Sequence, residues 1–354
     1  MIKKLWSFLP VFVIVLLSAA FLYYRSIQPL VSPFGGIYDD QSARVKSRIA
    51  PTLNLDFSKS ATLSSLAKVP RYLVYNSTTG KVYYSKNSGQ LFTPASFTKL
   101  ISTEVVLDLV PMDYKVTATK ASIDKVPTVL GLKENEKFTV AQLLRGAIAT
   151  SANDAAQTLA DGAASANKLT PKDFVHLMNV KARLMGMDNS NFANPDGLDD
   201  QTQFSTLNDI AIAVNNIQKN YPEIIAAGLS DNQDILTDSD HGHYYLPNWN
   251  GLLGVYPGVT GLKIAYTEGA GYSSVVVASQ SGIPVVAIVS GTNSLMERDL
   301  AAADLLDAAF MQEKIAPKRI TKWQVDKRYK IWGDLARKIK SELEALSSNK
   351  DNGL

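Results

Sequence analysis

The chain has 354 residues, of which 46% are hydrophobic and 19% charged, and its formal net charge is +3. That size and balance suit one large globular domain with additions, or two modest domains. The charge is too small to argue for nucleic acid as a partner, and the absence of cysteine excludes disulfides, thiolate catalysis and cysteine-based metal sites.

Lys3 and Lys4 precede an uncharged run from Leu5 to Tyr24, long enough to cross a bilayer. The basic flank predicts an N-terminus held in the cytoplasm and a bulk that is exported, here to the periplasm. Two readings of residues 1–27 stay open. Ser18-Ala19-Ala20 resembles a signal-peptide cleavage site, whereas the length of the run favours an uncleaved anchor in the cytoplasmic membrane. Residues 28–67 are mixed and polar, with Pro33, Gly35, Gly36 and Pro51, and read as a linker with room for one short strand.

Arg71–Tyr75 and Lys81–Tyr84 are rich in strand formers and flank Ser77-Thr78-Thr79-Gly80, which predicts a hairpin. Thr93 and Pro94 suit the N-cap and first position of a helix running to about Leu109. Thr139 and Gln142 form a capping box for the next helix, another helix follows Asn153, and Thr170-Pro171 opens a further one that Gly186 closes. Asn194-Pro195-Asp196-Gly197 is a turn, and a helix spans about Leu207–Ile217. Strand character returns at Gly261–Tyr266, Tyr272–Ser279 and Pro284–Ser290, followed by a helix over Ala301–Met311. Strands at both ends with helices between predict one mostly antiparallel sheet.

Three spacings carry chemistry. Ser96 and Lys99 stand three apart at a helix start and share a face. A serine hydroxyl needs a base, and a lysine held neutral by burial or a neighbouring cation can serve. The same helix start offers the Ser96 amide to a developing oxyanion. Ser151-Ala152-Asn153, at a junction between helices, places a hydroxyl and an amide able to relay a proton and hold a substrate amide. Lys263 lies in a strand-like segment. Each alone has an ordinary structural explanation: a chance pair on a helix, an N-cap, a solvated strand lysine.

Together they follow the order S-x-x-K, S-x-N, K-T-G of penicillin-binding proteins and class A β-lactamases. The surrounding segments TPASFTKLIST, TSANDAAQTLAD, FVHLMNVKARLMGMDNSNFANPDGLDD and NWNGLLGVYPGVTGLKIAYTEGAGYSSVVVAS resemble D-alanyl-D-alanine carboxypeptidases, the low-molecular-mass penicillin-binding proteins, over about residues 68–312. The resemblance implies an α/β (α+β) fold of the β-lactamase/transpeptidase type, an antiparallel sheet flanked by helices with an all-helical subdomain, over 68–315. It implies Ser96 as nucleophile, Lys99 as base and Ser151 as proton relay. Asn153 and Lys263 would bind substrate, and the amides of Ser96 and Tyr266 would form the oxyanion hole. The expected ligands are peptidoglycan stem peptides and, covalently, β-lactam antibiotics; no cofactor or metal is expected. One motif departs. The chain has Lys263-Ile264-Ala265 where the family has K-T-G, and Thr260 where it has aspartate. Isoleucine offers no hydroxyl to a terminal carboxylate, and the alanine methyl is expected to crowd substrate. Slow carboxypeptidase turnover, endopeptidase action, or a non-catalytic relative that binds peptidoglycan or a partner in the periplasm therefore all stay open.

His241 and His243, near Asp238 and Asp240, read as a polar loop rather than a metal site, and His176 as structural. In the tail, residues 316–354, Trp332, Leu335, Ile339, Leu343 and Leu346 recur at helical spacing beside many basic residues. That pattern fits a helix lying on an anionic membrane and a helix packed on the domain equally well.

Overall fold

Strand alternation builds two cores on one sheet. In the computed structural model, which describes residues 45, 47–231 and 233–351, β1 (Arg71–Asn76) and β2 (Val82–Lys86) form the first hairpin. Its turn is tied by Asn76 Oδ1, which accepts from the Thr78 and Thr79 amides at 2.9 and 3.0 Å. The last strands, β7 (Val259–Ala265), β8 (Tyr272–Gln280) and β9 (Ile283–Thr292), complete a five-stranded sheet of order β2-β1-β9-β8-β7, with every pairing antiparallel. β1 lies beside β9 in register Leu73↔Ile288 and Tyr75↔Val286. Those four residues pack toward the helices between β2 and β7. Their neighbours Tyr72, Val74, Ala287 and Val289 pack on the opposite face with a C-terminal helix, as a period of two requires.

The intervening helices are α1 (Thr98–Leu109), α2 (Val140–Arg145), α3 (Asn153–Ala166), α4 (Pro171–Met185), α5 (Leu207–Asn220) and α6 (Pro222–Leu229). Capping boxes at Thr139/Gln142 and Thr170/Asp173 start α2 and α4, and Gly186 at φ 89° ends α4. The start of α1 differs from the sequence expectation. A 3-10 turn, Ala95–Phe97, precedes it, and no side chain caps either the turn or the helix. Ala95 sits at φ 48°, so the chain bends there instead of entering the helix from Thr93. Two short ribbons and α6 had no clear pattern in the sequence: β3 (Lys115–Thr117) with β4 (Lys137–Thr139), and β5 (Gln233–Ile235) with β6 (Tyr244–Leu246).

The described part of the presumed linker is docked rather than free. The Val82 amide donates to Asp56 O at 3.0 Å and the Ser85 amide to Ala61 O at 3.0 Å, so residues 56–61 cover the outer edge of β2, which an exposed edge strand requires. The Ala50 amide donates to Asn216 Oδ1 at 2.7 Å. After β9 come α7 (Leu295–Gln312) and α8 (Lys322–Asp351). Val325 and Trp332 of α8 are buried, and Trp332 meets Trp249 and Tyr329 edge-on at 5.9 and 5.6 Å. The first part of the tail helix is therefore packed on the domain. Leu343 and Leu346, like the Leu5–Tyr24 run, lie outside the residues or side chains described. Among the described residues no helix is long and apolar enough to cross a membrane.

Candidate active site

Three backbone irregularities bring the chemistry together. Ala95 in the left-handed region turns Ser96 out of the path into α1, and Lys99 follows one turn later. α2 ends in a π-helical stretch, Gly146–Thr150, and Ser151 then adopts φ 66°, ψ 29° before α3 begins at Asn153. A non-glycine residue in that region is uncommon and clusters at functional sites. The Asn194–Gly197 turn closes the arrangement, with Gly197 at φ 82°. A Cβ on Gly197 would lie 2.0 Å from Ala95 O and 3.1 Å from the Ser96 amide nitrogen, so only glycine allows this turn to rest against Ser96.

Lys99 is fully buried and touches three groups. Its Nζ lies 2.9 Å from Ser96 Oγ, 2.7 Å from Asn153 Oδ1, and in close contact with the Asp196 carbonyl. Burial pulls its pKa down from 10.5 to about 7, against the opposing pull of the Asp196 and Asp154 carboxylates and with a smaller push from Lys125. A neutral amine has two N–H groups and one lone pair. Asn153 Oδ1 and Asp196 O accept the two hydrogens, and the lone pair faces the Ser96 hydroxyl. Protein contacts thus orient Lys99 as a proton acceptor for that hydroxyl.

Lys263 is also buried, and its Nζ donates to the Ile264 carbonyl at 2.8 Å. Burial first, then Lys99, then Arg298, lower its pKa well below the ordinary value. Asn153 is shared between tasks: its Nδ2 donates to Val126 O at 2.9 Å and its amide to Thr128 O at 2.7 Å. Next to it, the Asp154 carboxylate accepts from the Leu130, Gly131 and Leu132 amides at 2.9, 2.8 and 3.1 Å. Residues 126–132 are thereby fixed over the site.

Ser96, Ser151, Asn153, Ile264 and Tyr266 line one cavity of about 530 Å³, together with Val126–Thr128, Gly197–Asp199, Thr267 and Glu268. Lys99 lies beneath it. Lys263 and Ala265 do not line it; the wall presents the Ile264 side chain, and Ala265 is packed in the core. The methyl expected to crowd substrate therefore points away from it. Tyr266 is exposed and stacks on Tyr272 with centroids 4.2 Å apart. A larger cavity of about 600 Å³ lies between Ser64–Val69 and α7, but it holds no nucleophile–base pair, so volume alone does not choose the site.

His241 stacks on Phe138 at 4.6 Å and its Nε2 lies 2.9 Å from Gln142 Nε2, and among the described residues no metal-binding cluster occurs. The sequence reading missed the Asp196 carbonyl, Gly197, Asp154, and the acidic residues Asp199 and Glu268. The only signal for the first two was the Asn-Pro-Asp-Gly turn, which marks a bend without showing what it touches.

A family model described as D-alanyl-D-alanine carboxypeptidase matches residues 59–294. The D-alanyl-D-alanine carboxypeptidase DacF of Bacillus subtilis is 31% identical over 244 residues, 68% of this chain and 61% of that protein. The chain thus spans less than two thirds of that relative. A carboxypeptidase of a Streptomyces species is 29% identical over 272 residues, 74% of this chain and 93% of that one. Among solved structures, a Streptomyces DD-transpeptidase superposes with a TM-score of 0.63 at 27% identity, covering 69% of this chain and 97% of that one. A penicillin-binding protein of Listeria monocytogenes with cefotaxime bound gives 0.59 at 26%, covering 74% and 100%.

Proposed function

Because the chain belongs to the D-alanyl-D-alanine carboxypeptidase family, we propose that it is a serine acyl-transfer enzyme acting on D-Ala-D-Ala termini of peptidoglycan stem peptides. The observation that carries this reading is the buried Lys99 amine directed at Ser96 Oγ by Asn153 and Asp196. Ser96 Oγ attacks the carbonyl carbon of the penultimate D-alanine while its proton passes to Lys99 Nζ. The oxyanion faces the Ser96 and Tyr266 amides; a well-placed donor of this kind contributes about 3–4 kcal/mol. The C–N bond then breaks, the leaving amine takes a proton by way of Ser151, and water releases the acyl group from Ser96. We further propose that the Leu5–Tyr24 run tethers the protein to the cytoplasmic membrane with its bulk in the periplasm.

A labelled penicillin should attach covalently to full-length protein in detergent, with the adduct on Ser96 by mass spectrometry, and Ser96→Ala should abolish it. Wild type that stays unlabelled at high concentration and long incubation overturns the catalytic reading. A second reading, a relative that binds stem peptides without turning them over, is favoured by Ile264 in the cavity wall, and absence of labelling would select it.

A further inference from the structure

We propose that the tail helix α8 belongs to the acyl-transfer machinery, with Tyr329 as a positioning residue that fixes the buried Arg298–Asp299 pair behind the strand carrying Lys263. The inference rests on the acyl-transfer reading and adds a part to it: the proton balance between Lys99 and Lys263 is set from the tail.

Arg298 and Asp299 open α7 and are both fully buried. Arg298 Nε donates to Asp299 Oδ1 at 2.8 Å, and its Nη2 donates to Trp249 O at 2.8 Å and to Tyr329 Oη at 2.9 Å. The Tyr329 hydroxyl donates in turn to Asp299 Oδ2. One phenol thus touches both members of a buried ion pair, whose stability depends on such supporting hydrogen bonds. The third side is backbone: a Cβ on Gly251 would lie 2.1 Å from Asp299 Oδ2 and 2.8 Å from Tyr329 Oη. From that loop a second path leads to β7. Asn248 Nδ2 donates to Gly228 O at 2.9 Å and to Ser230 O at 2.8 Å at the end of α6. A Cβ on Gly228 would lie 2.8 Å from Leu262 O, one residue before Lys263.

The pair matters because Lys99 and Lys263 compete for charge. After burial, the groups that disfavour a charge on Lys263 are Lys99 and then Arg298. Arg298 stands on the Lys263 side, so it leaves Lys263 neutral and lets Lys99 be the amine that receives the Ser96 proton. Without the Tyr329 hydroxyl, the Asp299 carboxylate is less compensated and the field of the pair at Lys263 is less positive. Lys263 then keeps its proton to higher pH, and a charged Lys263 lowers the pH at which Lys99 titrates. The other charged groups acting on Lys99, Asp196 and Asp154 in favour of its charge and Lys125 against it, are left in place.

The test follows the Lys99 titration by NMR in full-length protein in detergent, with lysines labelled at Cε and signals identified from Lys99→Met and Lys263→Met. The midpoint should lie near 7 in wild type. It should fall by about half a unit in Tyr329→Phe and by about one unit in Arg298→Gln. In a Lys263→Met background, Tyr329→Phe should move nothing. A contact that only holds α8 in place would lower the melting temperature and leave the midpoint alone. Should Arg298→Gln melt abnormally, Tyr329→Phe, which keeps the ring, decides. A midpoint that stays or rises in Tyr329→Phe, or a fall that persists without Lys263, overturns the inference. The rate of penicillin acylation should show the same displacement with pH. Wild type that titrates as expected and never acylates would sink the catalytic reading, while the shift in Tyr329→Phe still decides this one.

Discussion

The rate of Ser96 acylation should follow the deprotonation of Lys99. An ordinary lysine at 10.5 is neutral in about one molecule in three thousand at pH 7, whereas one at about 7 is neutral in about half. The difference corresponds to about 5 kcal/mol of disfavoured protonation, supplied by burial. The second-order rate constant for a labelled penicillin should therefore fall about tenfold per pH unit below pH 6, reach half-maximum near 7 and level off above 8. Lys125 gives a directional check. Its ammonium disfavours a charge on Lys99, and its ion pair compensates the Asp196 carboxylate that favours one. Lys125→Gln should thus move the midpoint upward. Rates are the right observable because thermal melting mixes opposing groups. Between 7 and 10.5 the unfolded chain carries a proton on Lys99 that the folded one lacks, so this residue makes stability rise with pH. Glu104, raised by burial from 4.5 to about 8, holds a proton in the folded state between those values that the unfolded chain lacks, and so makes stability fall with pH there. A rate constant flat from pH 6 to 9, or a midpoint above 9, refutes the assignment of Lys99 as base.

Two further outcomes are expected. Ile264→Thr should increase D-alanine release from a stem peptide by roughly one to two orders of magnitude, the worth of one charge-assisted hydrogen bond. Ala265→Gly should add little and lower the melting temperature, because Ala265 is buried in the core; a rate that the restored hydroxyl leaves unchanged would show that this position does not limit turnover. For topology, alkaline phosphatase fused after residue 315 should be active and a cytoplasm-only fluorescent reporter there should stay dark. The reverse pattern eliminates the proposed orientation.

What the sequence exposed was whatever depends on short-range rules. Thr139/Gln142 and Thr170/Asp173 announced helix starts because a capping box is a contact three residues long. Ser96 and Lys99 were readable as a pair because one helical turn brings them together. The Asp196 carbonyl, by contrast, reaches Lys99 across ninety-seven residues, and nothing local distinguishes that backbone oxygen from any other. The segment 47–67 looked like a linker because it is polar and broken by proline; its docking on β2 runs through backbone amides, which composition does not record. Lys263 matched a motif position, but its reach was hidden: the choice between the cavity and the Ile264 carbonyl is made by packing around the side chain.

Ile264 of the altered third motif and the acidic Asp199 and Glu268 line the same cavity. On the proposed reading, a terminal carboxylate in this cavity would meet isoleucine instead of a hydroxyl, with the Lys263 amine behind the wall, and would approach Asp199 and Glu268. Lys263 and Lys99 repel each other as cations, whereas Ile264, Asp199 and Glu268 make no hydrogen bond to Lys99 or to the hydroxyl it faces. Their effect is therefore on how strongly a D-alanine-terminated peptide is held, equally before and during attack, and interactions of that kind change KM and leave kcat in place. A β-lactam places its reactive carbonyl at Ser96 with strain already stored in its ring, and it depends less on such binding. Ready penicillin labelling beside a high KM for stem peptides is accordingly the pattern expected if Ser96 and Lys99 act as the proposed nucleophile and base behind a divergent binding wall.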